Sequence, residues 1–261
     1  MRIEVDNVSF GYGRRSNVFD RLSLTIDSGR TVGILGSSGC GKSTLLRVIS
    51  GLLPRTRKPL IAGRVLLDGN APAAALKQGR VGFVFQEPTL LPHMSVASNV
   101  ALPYTIVRRK RLLPAQLAGL LSEVGLSNAA GSYPYELSTG MKTRAMLARA
   151  FSTQPELLLM DEPFVALDVA WRLKLYEDLN RLRTTKPLTT IIVSHDIHEA
   201  LVLCDEVLVL GRHGRWVTRV STPSPRLAAF DSISISQHLD LARKEYQELL
   251  RAILESRAQN S

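Results

Sequence analysis

The sequence predicts an α/β fold with buried strands, on three observations. Residues 31–35, 157–160 and 189–193 are short apolar runs without the alternation of a half-exposed strand. Each passes through a polar or glycine-rich turn into residues with helical spacing. Residues 95–135, by contrast, carry helical patterning and no strand signal, so a helical insertion interrupts an otherwise α/β chain.

Taken in order, residues 2–8 and 22–26 read as strands flanking Phe10-Gly11-Tyr12-Gly13, a glycine-bounded loop that presents the Tyr12 ring. An aromatic there either stacks on a purine or packs as a core tyrosine beside a turn. The next stretch carries the most specific signal. Gly36-Ser37-Ser38-Gly39-Cys40-Gly41-Lys42-Ser43-Thr44 matches G-x-x-x-x-G-K-[ST] between a strand and a helix, the context that makes such a match a phosphate loop. Its glycines let the backbone approach an anion, its N–H groups form a nest, and the helix starting at Lys42 adds a positive end. Lys42 then reaches the β- and γ-phosphates, and the Ser43 hydroxyl is placed to ligate Mg²⁺. Leu45, Leu46, Val48 and Ile49 carry the helical spacing until Gly51 and Pro54 end it.

Residues 64–69 read as a strand running into a turn, and residues 81–85 as a buried strand. Gln86 closes the latter before a proline-bounded loop, a position from which a polar side chain senses a ligand and moves. Helical patterns follow from Ser95 to about Arg111 and from Pro114 to Val124. Ser138 N-caps another helix, whose apolar positions 141, 145, 146 and 148–150 face one way. Small residues at its mouth make it an anion site by construction, although an ordinary capped helix is the better reading of this motif standing alone. The apolar strand 157–160 ends in Asp161-Glu162-Pro163. Two adjacent acids there are costly to bury unless a cation or ligand answers them. Asp161 suits a Mg²⁺ shell and Glu162 the orientation or deprotonation of an attacking water. After an amphipathic helix from about Val169 to Arg183, strand 189–193 ends in Ser194-His195-Asp196, where a neutral His195 imidazole either bonds a γ-phosphate or serves the fold. Residues 205–210 and 215–220 form a hairpin. Pro223 and Pro225 mark a linker, and the tail is one helix with Leu239, Ala242, Tyr246, Leu249, Leu250 and Ile253 on one face.

Composition sets the outer bounds. The chain has 261 residues, and 45% hydrophobic with 21% charged is ordinary globular material. No apolar run approaches the ~20 residues of a membrane span, and the N-terminus lacks the apolar centre of a secretion signal. Two cysteines, Cys40 and Cys204, make neither a disulfide framework nor a metal set, so a reducing cytosol is expected. The net charge of +10 leaves nucleic acid, an anionic membrane surface and a solvated charged face all open. The tightest basic cluster is Arg108-Arg109-Lys110-Arg111, with a second around Arg55, Arg57 and Lys58; neither is interleaved with aromatics as a base-stacking groove would be.

These motifs, in this order and spacing from about residue 2 to residue 220, resemble an ATP-binding cassette ATPase, the nucleotide-binding subunit of an ABC transporter. Residues 36–44 are similar to its Walker A motif, Gln86 to the Q-loop glutamine, and 137–141 to the signature motif. Residues 157–162 resemble Walker B with the catalytic glutamate, 165–168 the D-loop ending in Asp168, and His195 the switch histidine. Tyr12 falls where the family's adenine-stacking aromatic sits. The resemblance implies a P-loop NTPase fold: a RecA-like core plus an antiparallel β subdomain, with an inserted α-helical subdomain and a C-terminal helical tail. The ATPase domain would span residues 1–221, with the helical insertion at about 88–150, and residues 222–261 would be linker and C-terminal helix.

The resemblance further implies ATP and Mg²⁺ as cofactors. Glu162, His195 and Lys42 become catalytic; Tyr12, residues 36–44, Gln86, Ser138, Gly140 and Asp168 nucleotide-binding; Ser43, Gln86 and Asp161 metal ligands. Implied partners are a second copy, or a paralogous cassette, closing a nucleotide sandwich, a transmembrane permease docked on residues of about 86–103, and indirectly a solute-binding protein. Nucleic acid is not among them, and the expected location is peripheral, on the cytoplasmic face of the cell membrane. One departure stands out: the family signature usually reads Leu-Ser-Gly-Gly-Gln, and here Thr139 and Met141 replace its first glycine and its glutamine. Thr139 adds a side chain where backbone should approach closely, which weakens or slows the closed dimer while activity is expected to survive. Residues 86–92, 161–168 and 194–200 resemble the nitrate/sulfonate/taurine importer group. An exporter ATPase is the nearest competitor. A soluble cassette acting on nucleic acid or ribosomes is disfavoured by one phosphate loop, no heptad run and two cysteines.

Overall fold

Strand β1 (Ile3–Gly11) is the centre of a three-stranded antiparallel sheet, flanked by β2 (Asn17–Ile26) and β4 (Leu60–Leu67). The larger sheet has the order β5-β6-β7-β3-β8-β9, from β3 (Thr31–Gly36), β5 (Val81–Val84), β6 (Leu157–Asp161), β7 (Thr189–Val193), β8 (Glu206–Leu210) and β9 (Trp216–Ser221). Its strands run parallel except β9, which returns antiparallel along β8. This computed structural model describes residues 1–12, 17–53, 60–185, 187–222 and 232–258. The glycine after Tyr12, Pro54, the basic group at Arg55, Arg57 and Lys58, and the linker at Pro223 and Pro225 lie outside the described residues.

Both faces of the parallel strands are covered, which is why their sequences read as continuous apolar runs. Leu157 and Leu159 of β6 and Ile191 and Val193 of β7 enter one core with Phe10, Phe19 and the α1 (Lys42–Ser50) residues Leu45 and Ile49. The alternate residues Leu158, Met160 and Ile192 point into the other core with α5 (Thr139–Phe151), α6 (Val169–Thr185) and α7 (Ile197–Leu203). The period-2 alternation is therefore intact but divided between two cores. Around α5 stand α3 (Val96–Arg108) and α4 (Pro114–Glu123), and among the described residues of 88–150 no strand occurs. Asn99, fully buried, holds the preceding loop onto α3: its amide donates to Leu91 O, Met94 O and Ser95 O and accepts from Leu91 N–H.

Two expectations need correcting, and one element carried no sequence signal. Strands β1 and β2 run further than their alternation indicated. Ladder pairs at Phe10–Phe19 and Gly11–Asn17 hold Phe10 and Gly11 in strand, so only Tyr12 stands at the loop mouth. A short helix α2 (Pro72–Lys77) follows β4; its run of alanines gave too little periodicity to read. The tail is two helices, α8 (Ser232–Leu241) and α9 (Arg243–Ala258), interrupted at the fully buried Ala242. Both helices pack on α7: α8 through the buried His238, whose ring nitrogen Nε2 meets Leu201 O at 3.0 Å, and α9 through Tyr246 stacked on His198, while α9 also crosses β8 and β9. Ala242 and Leu249 are buried and Leu239, Tyr246 and Ile253 pack beside them, a narrow seam at alternating spacings of three and four that leaves Leu250 exposed.

Candidate functional site

The strand order places four carboxyl ends side by side: β5 leads to Gln86, β6 to Asp161-Glu162, β7 to Ser194-His195 and β3 to the loop 36–44. Neighbouring strands lie about 4.8 Å apart, so side chains leaving adjacent ends meet. This is the crevice where open α/β sheets bind ligands.

The loop's glycines answer two different demands. At Gly36 (φ 153) an added Cβ would stand 2.4 Å from Leu210 O, so the backbone of β8 excludes any side chain. At Gly39 (φ 78) it would meet nothing within 4 Å, and only the left-handed backbone asks for glycine; this crest of the loop faces open space. Lys42 is buried and its Nζ donates to Gly36 O and Ser37 O, both at 2.9 Å, so the ammonium spans the inside of the loop. Cys40 is buried against the loop; burial pushes its thiol up, more than the Lys42 charge pulls it down, so it packs as a neutral side chain.

Ser43 Oγ donates to Asp161 Oδ1 at 3.0 Å, joining α1 to the end of β6. Asp161 is buried, and burial raises its carboxyl above the ordinary range; the bond from Ser43 pulls it down and the charge of Glu162 pushes it up again. Glu162 holds φ at 48°, a left-handed conformation that costs a non-glycine residue about 1–2 kcal/mol. Its N–H donates to Val193 O at 2.9 Å, which carries the β6–β7 ladder one residue further and turns the side chain out of the sheet. There Oε2 accepts from Gln86 Nε2 at 3.1 Å and lies 3.6 Å from His195 Nδ1. Glu162 is thus held between the ends of the two flanking strands, beside a largely exposed imidazole. Among the described residues six other non-glycine residues share a positive φ, and Glu162 differs from them in standing at a strand end between Gln86 and His195.

Tyr12 is half-buried. Its hydroxyl shares a hydrogen bond of 3.2 Å with Thr44 Oγ1 and its ring meets Phe10 edge-on, so the ring stands beside the phosphate loop. Ser138 and Gly140 occupy a different place. Ser138 Oγ accepts from Met141 N–H at 3.2 Å as the N-cap of α5, and a Cβ at Gly140 would lie 3.0 Å from Ala166 O. None of the hydrogen bonds that assemble Ser43, Gln86, Asp161 and Glu162 involves them. Asp168 caps α6, accepting from Trp171 N–H at 3.0 Å.

Several supporting residues carried no sequence signal. Arg149, at the far end of α5, donates to Thr89 O at 2.8 Å and Thr89 Oγ1 at 2.6 Å, tying the loop after Gln86 to the helix that Ser138 caps. Ser194 Oγ donates to Glu199 Oε2 at 2.6 Å and accepts from Asp196 N–H at 3.0 Å, which shapes the turn around His195. Burial raises the Glu199 carboxyl above the usual range, and Arg172 of α6 approaches it to 3.8 Å. An arginine on a helix or a serine in a turn is common, and only the bonds they make in the fold distinguish these.

Among the described residues no cluster of three or more His, Cys, Asp or Glu forms a metal cage, and no helix is long and apolar enough to cross a membrane. A model of the family described as ABC transporter matches residues 19–165. The sulfate/thiosulfate import ATP-binding protein CysA of Neisseria meningitidis is 39% identical over 221 residues, which cover 82% of this chain and 60% of that protein. The taurine import ATP-binding protein TauB of Rhizobium johnstonii is 43% identical over 254 residues, covering 94% of this chain and 92% of its own length. The chain therefore spans about 60% of the Neisseria relative and nearly all of the Rhizobium one. Among solved structures, the dimeric post-hydrolysis state of the ATP-binding cassette MJ0796 with ADP and Pi superposes with a TM-score of 0.77 at 26% identity, covering 85% of this chain and 99% of that one.

Proposed function

Since the chain belongs to the ABC transporter family, as an ATP-binding domain, we propose that it hydrolyses ATP to power solute import through a membrane permease, with a sulfonate such as taurine as the solute class. The observation that supports the reading best is the group at the strand ends: Ser43 on Asp161, Gln86 on Glu162, and His195 beside Glu162, all next to the phosphate loop. The taurine assignment draws on the Rhizobium relative, which matches along nearly its whole length. Solute selection would lie in the permease and a solute-binding protein. On this reading the ATPase domain is residues 1–221, with the helical insertion at about 88–150 and the remainder a tail, and the subunit sits peripherally on the cytoplasmic face of the membrane.

The donor set fits Mg²⁺. Ser43 Oγ and the Asp161 carboxylate already touch, Gln86 offers an amide oxygen on the next strand, and all are hard oxygen donors. So few protein ligands suit an ion that keeps waters and takes the rest of its shell from phosphates. When bound, the metal neutralises phosphate charge and orients the leaving oxygen. The phosphate loop binds the triphosphate through its N–H groups, and Lys42 exchanges the Gly36 and Ser37 carbonyls for phosphate oxygens. Glu162, steadied by Gln86, orients the attacking water and accepts its proton, and His195 holds the γ-phosphate side. Ser138 and Gly140, separate from this group in one chain, serve the nucleotide of a second copy. The dimeric arrangement of the MJ0796 cassette supports that assembly.

The reading is tested by phosphate release from the full chain, alone and reconstituted with its permease in vesicles. MgATP-dependent turnover stimulated by the permease, with taurine uptake, is expected; co-purification with ribosomes or DNA instead of a detergent-solubilised membrane protein overturns it. Two variants probe the parts. Tyr12→Ala is expected to weaken ATP binding about three- to tenfold, the worth of one aromatic stack, while Tyr12→Phe stays near wild type. Unchanged affinity in Tyr12→Ala, read by fluorescent-nucleotide titration, returns Tyr12 to the core. Restoring the signature with Thr139→Gly and Met141→Gln is expected to raise turnover several-fold without changing nucleotide affinity of the isolated chain. A fall in turnover would mean that the present pair is adapted to this subunit's own interface.

A further inference from the structure

We infer that the turn joining α3 to α4 is a contact for the anionic headgroup surface of a lipid bilayer. It carries Arg108-Arg109-Lys110-Arg111, four consecutive exposed cations whose side chains make no ion pair or hydrogen bond among the described residues. Some exposed arginines elsewhere are answered, Arg2 by Glu4, Arg64 by Asp6, Arg181 by Asp178 and Arg219 by Glu206, and the exposed ones without an ion pair, such as Arg215 and Arg251, do not stand in a run of four consecutive cations. Here nothing nearby in sequence can answer them, because the only acidic residue between positions 96 and 124 is Glu123. Arg108 alone stands in the last turn of α3, where one cation suffices to complement the helix's negative end. The other three lie beyond the helix and repel one another with no compensating contact.

Apolar residues stand on either side of these cations. Ile106 is 67% exposed and Leu113 62%, while Leu112, between the cations and Leu113, is buried and pins the turn to the protein. Cations between exposed aliphatic side chains fit the bilayer interface, where headgroups meet the charges and the acyl boundary takes the apolar flanks. A nucleic acid fits less well, since residues 105–113 contain no aromatic on which a base could stack. The inference rests on the reading that this subunit works against a membrane, and it places a direct lipid contact next to the stretch proposed to meet the permease. It does not depend on the nucleotide chemistry.

The test is co-sedimentation of the full chain with vesicles of phosphatidylcholine, with and without 30% phosphatidylglycerol. Binding is expected only to the anionic vesicles, and is expected to vanish when salt rises from about 0.1 M to 0.5 M as the charges are screened. Replacing Arg108, Arg109, Lys110 and Arg111 together by glutamine is expected to weaken it at least tenfold, at about fivefold or more per cation near the surface before screening. Ile106→Ser with Leu113→Ser is expected to weaken it several-fold. A control that removes the same charge elsewhere (Arg215, Arg243, Lys244 and Arg251 to glutamine) keeps binding. Equal loss in both four-fold variants would assign the effect to net charge and overturn the proposal. So would failure of the wild type to prefer anionic vesicles, or binding of single-stranded RNA in place of vesicles. Thermal melting reports folding of every variant, and ATP turnover, measured alongside, keeps the two readings apart. A chain that binds vesicles but hydrolyses nothing removes the ATPase function and leaves the lipid contact standing.

Discussion

Replacing Glu162 by glutamine is expected to lower ATP turnover by about 10²- to 10⁴-fold, the usual worth of a positioned general base, while ATP binding stays within a few-fold of wild type. The geometry makes the test unusually clean. Gln86 Nε2 donates to Glu162 Oε2, and a glutamine side chain still offers an oxygen there, so the variant keeps its shape and loses only the ability to take a proton. The strained backbone at φ 48 is unchanged by the substitution. Single-turnover phosphate release measures the chemistry, and size-exclusion chromatography with ATP measures association: the variant is expected to accumulate as an ATP-bound dimer. Normal turnover would remove Glu162 from its role and return the search to His195 or a water held by the backbone.

Asp161→Asn is expected to separate fold from function in the opposite sense. MgATP at a hundredfold over its Kd stabilises a protein by about 2.7 kcal/mol, which for a domain of this size raises the melting temperature by roughly 5–10 °C. The variant is expected to lose that shift. Without nucleotide it should melt no lower than wild type, and slightly higher at neutral pH, because Asn still accepts from Ser43 and no longer buries a charge. The sign follows from the direction of the carboxyl's shift. Burial, reinforced by Glu162, places the folded-state value above the unfolded one, so this group favours the fold fully below the ordinary aspartate range. That contribution is lost as pH rises through the folded value. Wild type and variant should therefore melt together in acid and diverge above that window. A nucleotide-free variant that melts far below wild type at neutral pH would mean that the charge is needed by the fold, not by the ligand.

Much of the fold was legible because the relevant physics is local. The phosphate loop declared itself through glycine spacing between a strand and a helix, and Ser95 and Ser138 both appear as side-chain N-caps where an Ser preceded helical spacing. The errors have equally physical sources. Ladder bonds to two partners carried β1 past its alternation to Gly11, and an alanine-rich helix at 72–77 had no periodicity to show. At the tail, a stripe of apolar residues could not reveal an interruption at Ala242, beyond which the second helix reaches β8 and β9 as well as α7.

By itself the sequence determined the phosphate loop, the buried strands and the polar residues that close each of them, because these depend on residue type and short spacing. Only the tertiary structure decided which of those residues meet. The order β5-β6-β7-β3 sets Gln86 on Glu162 and Glu162 beside His195, and brings Ser43 across to Asp161 over 118 residues of chain. It also leaves Ser138 and Gly140 out of those bonds and gives Arg149 its partner in Thr89. The reason is that strand order in a parallel sheet follows from how the connecting helices pack, and packing is a property of the whole chain that no local window contains.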